Sequence, residues 1–159
     1  MKDVLAPGLR AVFVGTRGRN GSPHGQHYYD GAGNQFWNLL HLSGLTPVRI
    51  DPVDDAKLPS YGYGLTDLVW REDTADLVGL QRALRRARPE AVAFVSKSAA
   101  ASYAREAGER LPRGYGPLSW TVVGLAAFVL PGPSGANNAM SVPQRAALWS
   151  DLHDFLESL

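Results

Sequence analysis

The chain contains no cysteine. Disulfides, thiol nucleophiles and zinc–thiolate sites are therefore excluded, and the absence fits a reducing compartment. A surplus of either charge is also missing. Sixteen basic side chains face fifteen acidic ones, for a net charge of +1. Binding to a polyanion cannot rest on bulk charge and needs a local basic patch. Long apolar runs are lacking as well. No segment has the apolar length to span a membrane, and "MKDVLAPGLR" has no signal-peptide core. There is no internal repeat and no long linker. The expectation is one cytoplasmic domain, residues 1–159, with no membrane partner.

Apolar, β-branched runs alternate with helical patterns. "LRAVFVG" (9–15) predicts a buried strand ended by Gly15. "NQFWNLLHLSG" (34–44) predicts a helix, with Asn34 as N-cap and Gly44 as stop. "TPVRI" reads as a short extended piece. "TADLVGLQRALRRAR" (74–88) predicts an amphipathic helix with Arg82, Arg85 and Arg86 off its apolar face. "EAVAFVS" (90–96) predicts a second strand, and "KSAAASYAREAGE" a helix after it. "LSWTVVG" and "LAAFVLP" read as two further strands. "SVPQRAALWSDLHDFLESL" predicts a closing amphipathic helix with Pro143 in its first turn. This order implies an α/β fold, a three-layer α/β/α sandwich with a mainly parallel central sheet. Ligands in such sheets bind beyond the carboxyl ends of the strands. Two loops leave those ends.

The first loop lies in "GTRGRNGSPHGQHYYDGAGNQFW", Gly15 to Trp37. It lacks the GxGxxG spacing of a dinucleotide site and the GK[ST] ending of a P-loop. His24 and His27 stand three apart with no third metal ligand nearby, so no metal is expected. No GxSxG elbow occurs anywhere in the chain, which leaves a serine hydrolase without support. The second loop, "PGPSGANN" (131–138), has two prolines and two glycines that fix its backbone. Its Ser134, Asn137 and Asn138 offer hydrogen-bonding groups just before a helix. That arrangement suits either a phosphate clamp or a plain strand-to-helix turn.

Taken together, the two loops resemble the uracil-DNA glycosylase superfamily. The likeness is closest to the mismatch-specific uracil/thymine-DNA glycosylases. "GTRGR" followed by "YYDGAGNQFW" resembles that family's GINPG and F-A-G-P-G-N-x-F-W segments, with equal spacing. "GLTDLV" (64–69) looks like its G-I/L-T-x-L-V, and "VLPGPSGANN" like its V-L-P-N-P-S-G-L. "YYDGAGNQFW" is also similar to the Y-Y-A-H-P-x-N-x-F-W of hypoxanthine-DNA glycosylases. The resemblance implies a cofactor-free DNA glycosylase of base-excision repair, acting as a monomer on DNA with a damaged or mismatched base. Uracil is the first substrate it suggests, followed by hypoxanthine and xanthine. Such a site needs a stacking surface, donors for the departing base, a positioned water and a grip on phosphate. The resemblance assigns stacking to Tyr29 and base contacts to Gly15, Thr16 and Arg17. It assigns the DNA contact to Gly132, Pro133, Ser134, Gly135, Ala136, Asn137 and Asn138. Gly135, Ala136 and Asn137 stand where the family wedges into the duplex. Lys97 reads as a phosphate contact or a solvated helix-start residue.

Two departures mark this chain. Arg17 aligns with the family's water-activating asparagine, and an arginine has no acceptor and stays protonated. It either stabilises the leaving base or fills the pocket. Gly132 aligns with a second asparagine. The acceptors that offer a replacement are Asp30 and Asn34, and Asn34 also reads as a helix cap. Asn20 and His27 rank behind them, and Asp67 reads as a helix-start residue. Alternatives are a superfamily member that binds DNA or nucleobases without cleaving, or an unrelated hydrolase of nucleosides or nucleotides.

Overall fold

The computed structural model describes residues 2–18, 25–137 and 139–159. Arg19, Asn20, His24 and Asn138 lie outside the described residues. Among the described residues six strands, β1 (Ala11–Arg17), β2 (Tyr63–Arg71), β3 (Thr74–Ala75), β4 (Ala91–Phe94), β5 (Gly116–Pro117) and β6 (Ala126–Val129), form one sheet. Their order is β3-β2-β1-β4-β6-β5. β2, β1, β4 and β6 run parallel, and the two short edge strands pair antiparallel. The sheet is mainly parallel, as the alternating pattern requires.

Both faces of the sheet are covered, so β1 carries apolar side chains at successive positions rather than every second one. On one face Phe13, Tyr63 and Phe128 pack with Phe36 and Leu40 of α1 (Phe36–Leu42) and with Trp149 and Leu152 of α4 (Val142–Glu157). A 3-10 segment, Pro52–Tyr61, lies on this side through Leu58. On the other face Val12, Val14 and Phe94 meet Leu80 and Leu84 of α2 (Leu77–Ala87). Ala100 and Tyr103 of α3 (Lys97–Ala107) complete that layer. The result is a three-layer α/β/α sandwich.

The helices start where side chains satisfy their first amides. Asp76 accepts from Gly79 N, and Ser96 accepts from Ala99 N. Ser141 and Gln144 form a reciprocal capping box on α4. Each such cap contributes about 1 kcal/mol.

Three expectations are corrected. "LSWTVVG" is not a strand: Val123 (φ 47°) and Gly124 (φ 82°) make a tight turn between Val122 and Leu125, which bridge each other. The strand beside β6 is the short Gly116–Pro117 instead. "TPVRI" is a bend without strand pairing. Asp67 does not start a helix. It lies inside β2, opposite Gly15, and is 4% exposed.

Candidate base-excision site

Parallel strands deliver their carboxyl ends to one side of the sheet. Gly15–Arg17 of β1, Asp67 of β2, Ser96 after β4 and the 130–137 segment after β6 therefore share that side. The two loops singled out in the sequence meet there. Gln35 N donates to Pro133 O at 2.8 Å. A Cβ on Gly135 would stand 2.9 Å from Gly33 O, so the two backbones touch through glycine.

The first loop is held by groups around Tyr28. Its amide donates to Asp55 Oδ2 (3.0 Å), and its carbonyl accepts from Trp37 Nε1 (2.9 Å). His27 Nδ1 lies 3.3 Å from Asp55 Oδ1. With Tyr28 pinned at both backbone groups, Tyr29 adopts φ 55°, a left-handed conformation that only a well-determined environment maintains for tyrosine. The Tyr29 ring stacks on Phe36 at 4.1 Å and 16°. α1 thus backs the ring. Its hydroxyl sits above Gly15, 2.7 Å from where a Cβ there would be, and Asp67 Oδ1 is 2.9 Å from the same point. Gly15 is the residue that permits this approach. Burial and the neighbouring Asp67 carboxylate push the Tyr29 hydroxyl pKa well up.

Asp30 and Asn34 are both engaged with the backbone. Asp30 is exposed, and its two oxygens accept from His27 N and Gly25 N, each at 3.0 Å. Those amides, His27 first, hold its carboxyl below the ordinary carboxylate range. Asn34 Oδ1 accepts from Phe36 N at 3.0 Å. It therefore supports the start of α1, although Gln35 occupies the N-cap position itself.

Arg17 meets Asp67 across the strand pair, with Nε 3.7 Å from Oδ2. The arginine side chain keeps 30% of its surface and the aspartate none. Thr66 and Asp3 stand beside them around a cavity of about 180 Å³. Burial raises the Asp3 pKa, the Thr66 hydrogen bond opposes that, and Asp67 adds to it.

The second loop hangs on α4. Arg145, only 5% exposed, donates through Nη1 to Gly132 O (3.3 Å) and Ser134 O (3.2 Å). One helical turn on, Trp149 Nε1 donates to Pro131 O (3.0 Å). Asn137 Nδ2 closes the loop on Gly132 O at 3.1 Å. Ser134 Oγ accepts from Ala136 N. Ser134, Gly135 and Ala136 are exposed at the tip, whereas Pro133 is buried. Lys97 is exposed at the start of α3, with Nζ 4.7 Å from the centre of the Tyr115 ring.

Gly15, Thr16, Arg17, Tyr29, Asn34 and the 132–137 segment are thus brought to one end of the sheet. Asp30 belongs to the turn that precedes Gly31–Gly33. Sequence reasoning missed Arg145, Asp55 and the placement of Asp67. The signal for Arg145 was its spacing of four from Trp149 within an otherwise apolar helix face.

Two glycine-rich loops thus converge at the strand ends of an α/β/α sandwich. The profile of the uracil DNA glycosylase superfamily matches residues 2–153, and the chain belongs to that superfamily. Its members are typically glycosylase hydrolases that act on DNA. Among the described residues, no helix is long and apolar enough to cross a membrane.

Proposed function

We propose that this protein is a monomeric, monofunctional DNA N-glycosylase of base-excision repair. Uracil is its first expected substrate, followed by hypoxanthine and xanthine. The observation that carries this reading is the meeting of the two loops, through Gly33 and Gly135, beside a tyrosine ring backed by Phe36. One loop serves a flipped-out base and the other the strand it left.

In this reading the base stacks at Tyr29 near the amides of Thr16 and Arg17. The exposed Ser134–Ala136 tip enters the duplex, and Lys97 and Ser134 contact phosphate. A water oxygen bonds to C1′, the C1′–N bond breaks, and the base departs with the electron pair. Asp30 and Asn34 are the acceptors assigned to that water. Each already accepts from backbone amides, but a carboxylate or amide oxygen has more than one lone pair.

That engagement also favours a second reading, in which the site binds DNA or a nucleobase without cutting. Single-turnover cleavage of oligonucleotides, single- and double-stranded, carrying each deaminated base separates the two. Alkali-labile abasic product on at least one lesion is expected. Its absence on every lesion at excess enzyme, together with retained binding, would establish the second reading. Unchanged rates in both Asp30→Ala and Asn34→Ala would remove those residues from the mechanism.

A further inference from the structure

We infer that Asp67 is the positioning residue for Arg17, and that the guanidinium held in this way, across two neighbouring strands, supplies the positive charge that meets the departing base. The inference rests on the glycosylase reading above. Asp67 stands on β2 directly opposite Gly15 of β1. Its carboxylate is fully covered, yet it reaches both functional groups at this end of the sheet. Oδ2 lies 3.7 Å from Arg17 Nε. Oδ1 lies beside the Tyr29 hydroxyl over Gly15. Among the described residues, the other titratable groups that face it are Asp3 and the Tyr28 hydroxyl.

A carboxylate without solvent contact is costly unless a cation or donors compensate it. Among the described residues Arg17 is the cation within 4 Å of this carboxylate, and the Tyr28 hydroxyl also faces it. At 3.7 Å the contact is an ion pair longer than a hydrogen bond, so the buried carboxylate holds the guanidinium at the strand end by charge. Arg17 itself keeps 30% of its surface, so the buried partner holds a group that still reaches the open side. The chemistry then assigns its role. As the C1′–N bond breaks, the electron pair leaves on the base, and negative charge grows on its ring nitrogen and carbonyl oxygens. A guanidinium already held there stabilises that charge without accepting a proton. The water's proton goes to the Asp30 carboxylate or, through solvent, to the departing base, since neither arginine nor the Asn34 amide can take it. The arginine where the family's motif has an asparagine thus acts at the leaving-group side of the reaction.

The test compares wild type, Arg17→Gln, Asp67→Asn and the double variant in single-turnover cleavage. Substrates are duplexes with uracil or 5-fluorouracil, and with hypoxanthine or xanthine as the purine pair. Arg17→Gln is expected to lose roughly 10²-fold in rate on the poorer leaving group of a pair. The loss should be smaller on the better one, such as 5-fluorouracil, which needs less help. Asp67→Asn should show the same leaving-group-dependent loss, with the half-saturating enzyme concentration unchanged. The double variant should be no slower than Arg17→Gln alone, because the two act as one unit. Arg17→Lys, which keeps the charge, should recover part of the rate. An Asp67→Asn loss that is equal on both bases, or losses that multiply in the double variant, overturns the inference. If thermal unfolding shows that Asp67→Asn does not fold, Asp67→Glu carries the test, and an unchanged rate there overturns it. A wild type with no product on any of the four lesions overturns the glycosylase reading and this inference together. An active wild type with leaving-group-independent variants overturns this inference alone.

Discussion

Replacing Gly15 with alanine tests how the end of β1, Tyr29 and Asp67 fit together. The new methyl carbon would stand 2.7 Å from the Tyr29 hydroxyl oxygen and 2.9 Å from Asp67 Oδ1. Ordinary contact starts near 3.4 Å, so the hydroxyl must retreat by about 0.7 Å. It has little room to do so. Tyr28 is pinned through both backbone groups, and Phe36 lies against the ring at 4.1 Å. Overpacking of this kind costs about 1–3 kcal/mol. With a urea m-value of about 2 kcal/mol/M, the midpoint should fall by roughly 0.5–1.5 M. Tyr29→Phe deletes the nearest oxygen and leaves the Asp67 contact. Gly15→Ala should therefore cost less in a Tyr29→Phe background, with a coupling of about 1 kcal/mol in a double-mutant cycle. Urea denaturation of the four proteins measures it. Strict additivity, or a Gly15→Ala midpoint equal to wild type, would refute the packing argument.

Gly135→Ala should separate the two loops, since its methyl would meet Gly33 O at 2.9 Å. A stability loss of about 1–3 kcal/mol is expected, with weaker binding to lesion DNA in a fluorescence-anisotropy titration; unaltered binding would count against a shared site. Arg145→Met removes the donor to Gly132 O and Ser134 O. It should cost about 1–3 kcal/mol and raise hydrogen exchange at residues 132–137, and exchange at the wild-type rate would contradict the anchoring role. Asp3→Asn tests a pH effect. The Asp3 pKa lies above its ordinary 3.8, so the folded state holds that proton more tightly than the unfolded chain. That contribution is complete below pH 3.8 and is lost as pH rises through the folded pKa. The variant, which has no charge to bury, should therefore gain stability relative to wild type as pH climbs across that window. Denaturation midpoints from pH 3.5 to about 7 measure the difference, and a shrinking difference would reverse the sign.

Much of the scaffold was legible in the sequence because its elements obey one period at a time. β1 and β4 stand on short apolar runs, although β1 runs on through Gly15, the expected stop, to Arg17, and α2 carries its arginines away from the core. β2 was legible only as a motif. Its Asp67 read as a helix-start residue, yet Asp67 and Thr66 are both buried inside the strand, the former with Arg17 Nε 3.7 Å from its carboxylate. Residues 118–124 look like a strand, but Val123 takes a left-handed conformation that a β-branched residue rarely adopts. β5 was hidden for the opposite reason. Gly116 and Pro117 are poor strand formers and survive only as a two-residue edge. At the site, spacing identified the two loops but not what fastens them. Arg145, Trp149 and Asp55 act from elements distant in sequence, and no local pattern announces a carbonyl waiting for a donor. Asp30 and Asn34 stood out as acceptors by residue type, and sequence could not reveal that backbone amides already occupy them.

The attachment of the second loop to α4 also bears on how the protein comes into being. The first loop leaves β1, near the start of the chain, while the second is fastened by Arg145 and Trp149, near its end. Arg10 and Glu157 pair at 2.7 Å, joining the same two regions. Contacts between such remote residues form late, because a long stretch of chain must close before they stabilise anything. A partly synthesised chain would therefore have the sheet's first strands long before it had a complete DNA-facing surface. Assembly of that surface would report that the whole domain is folded.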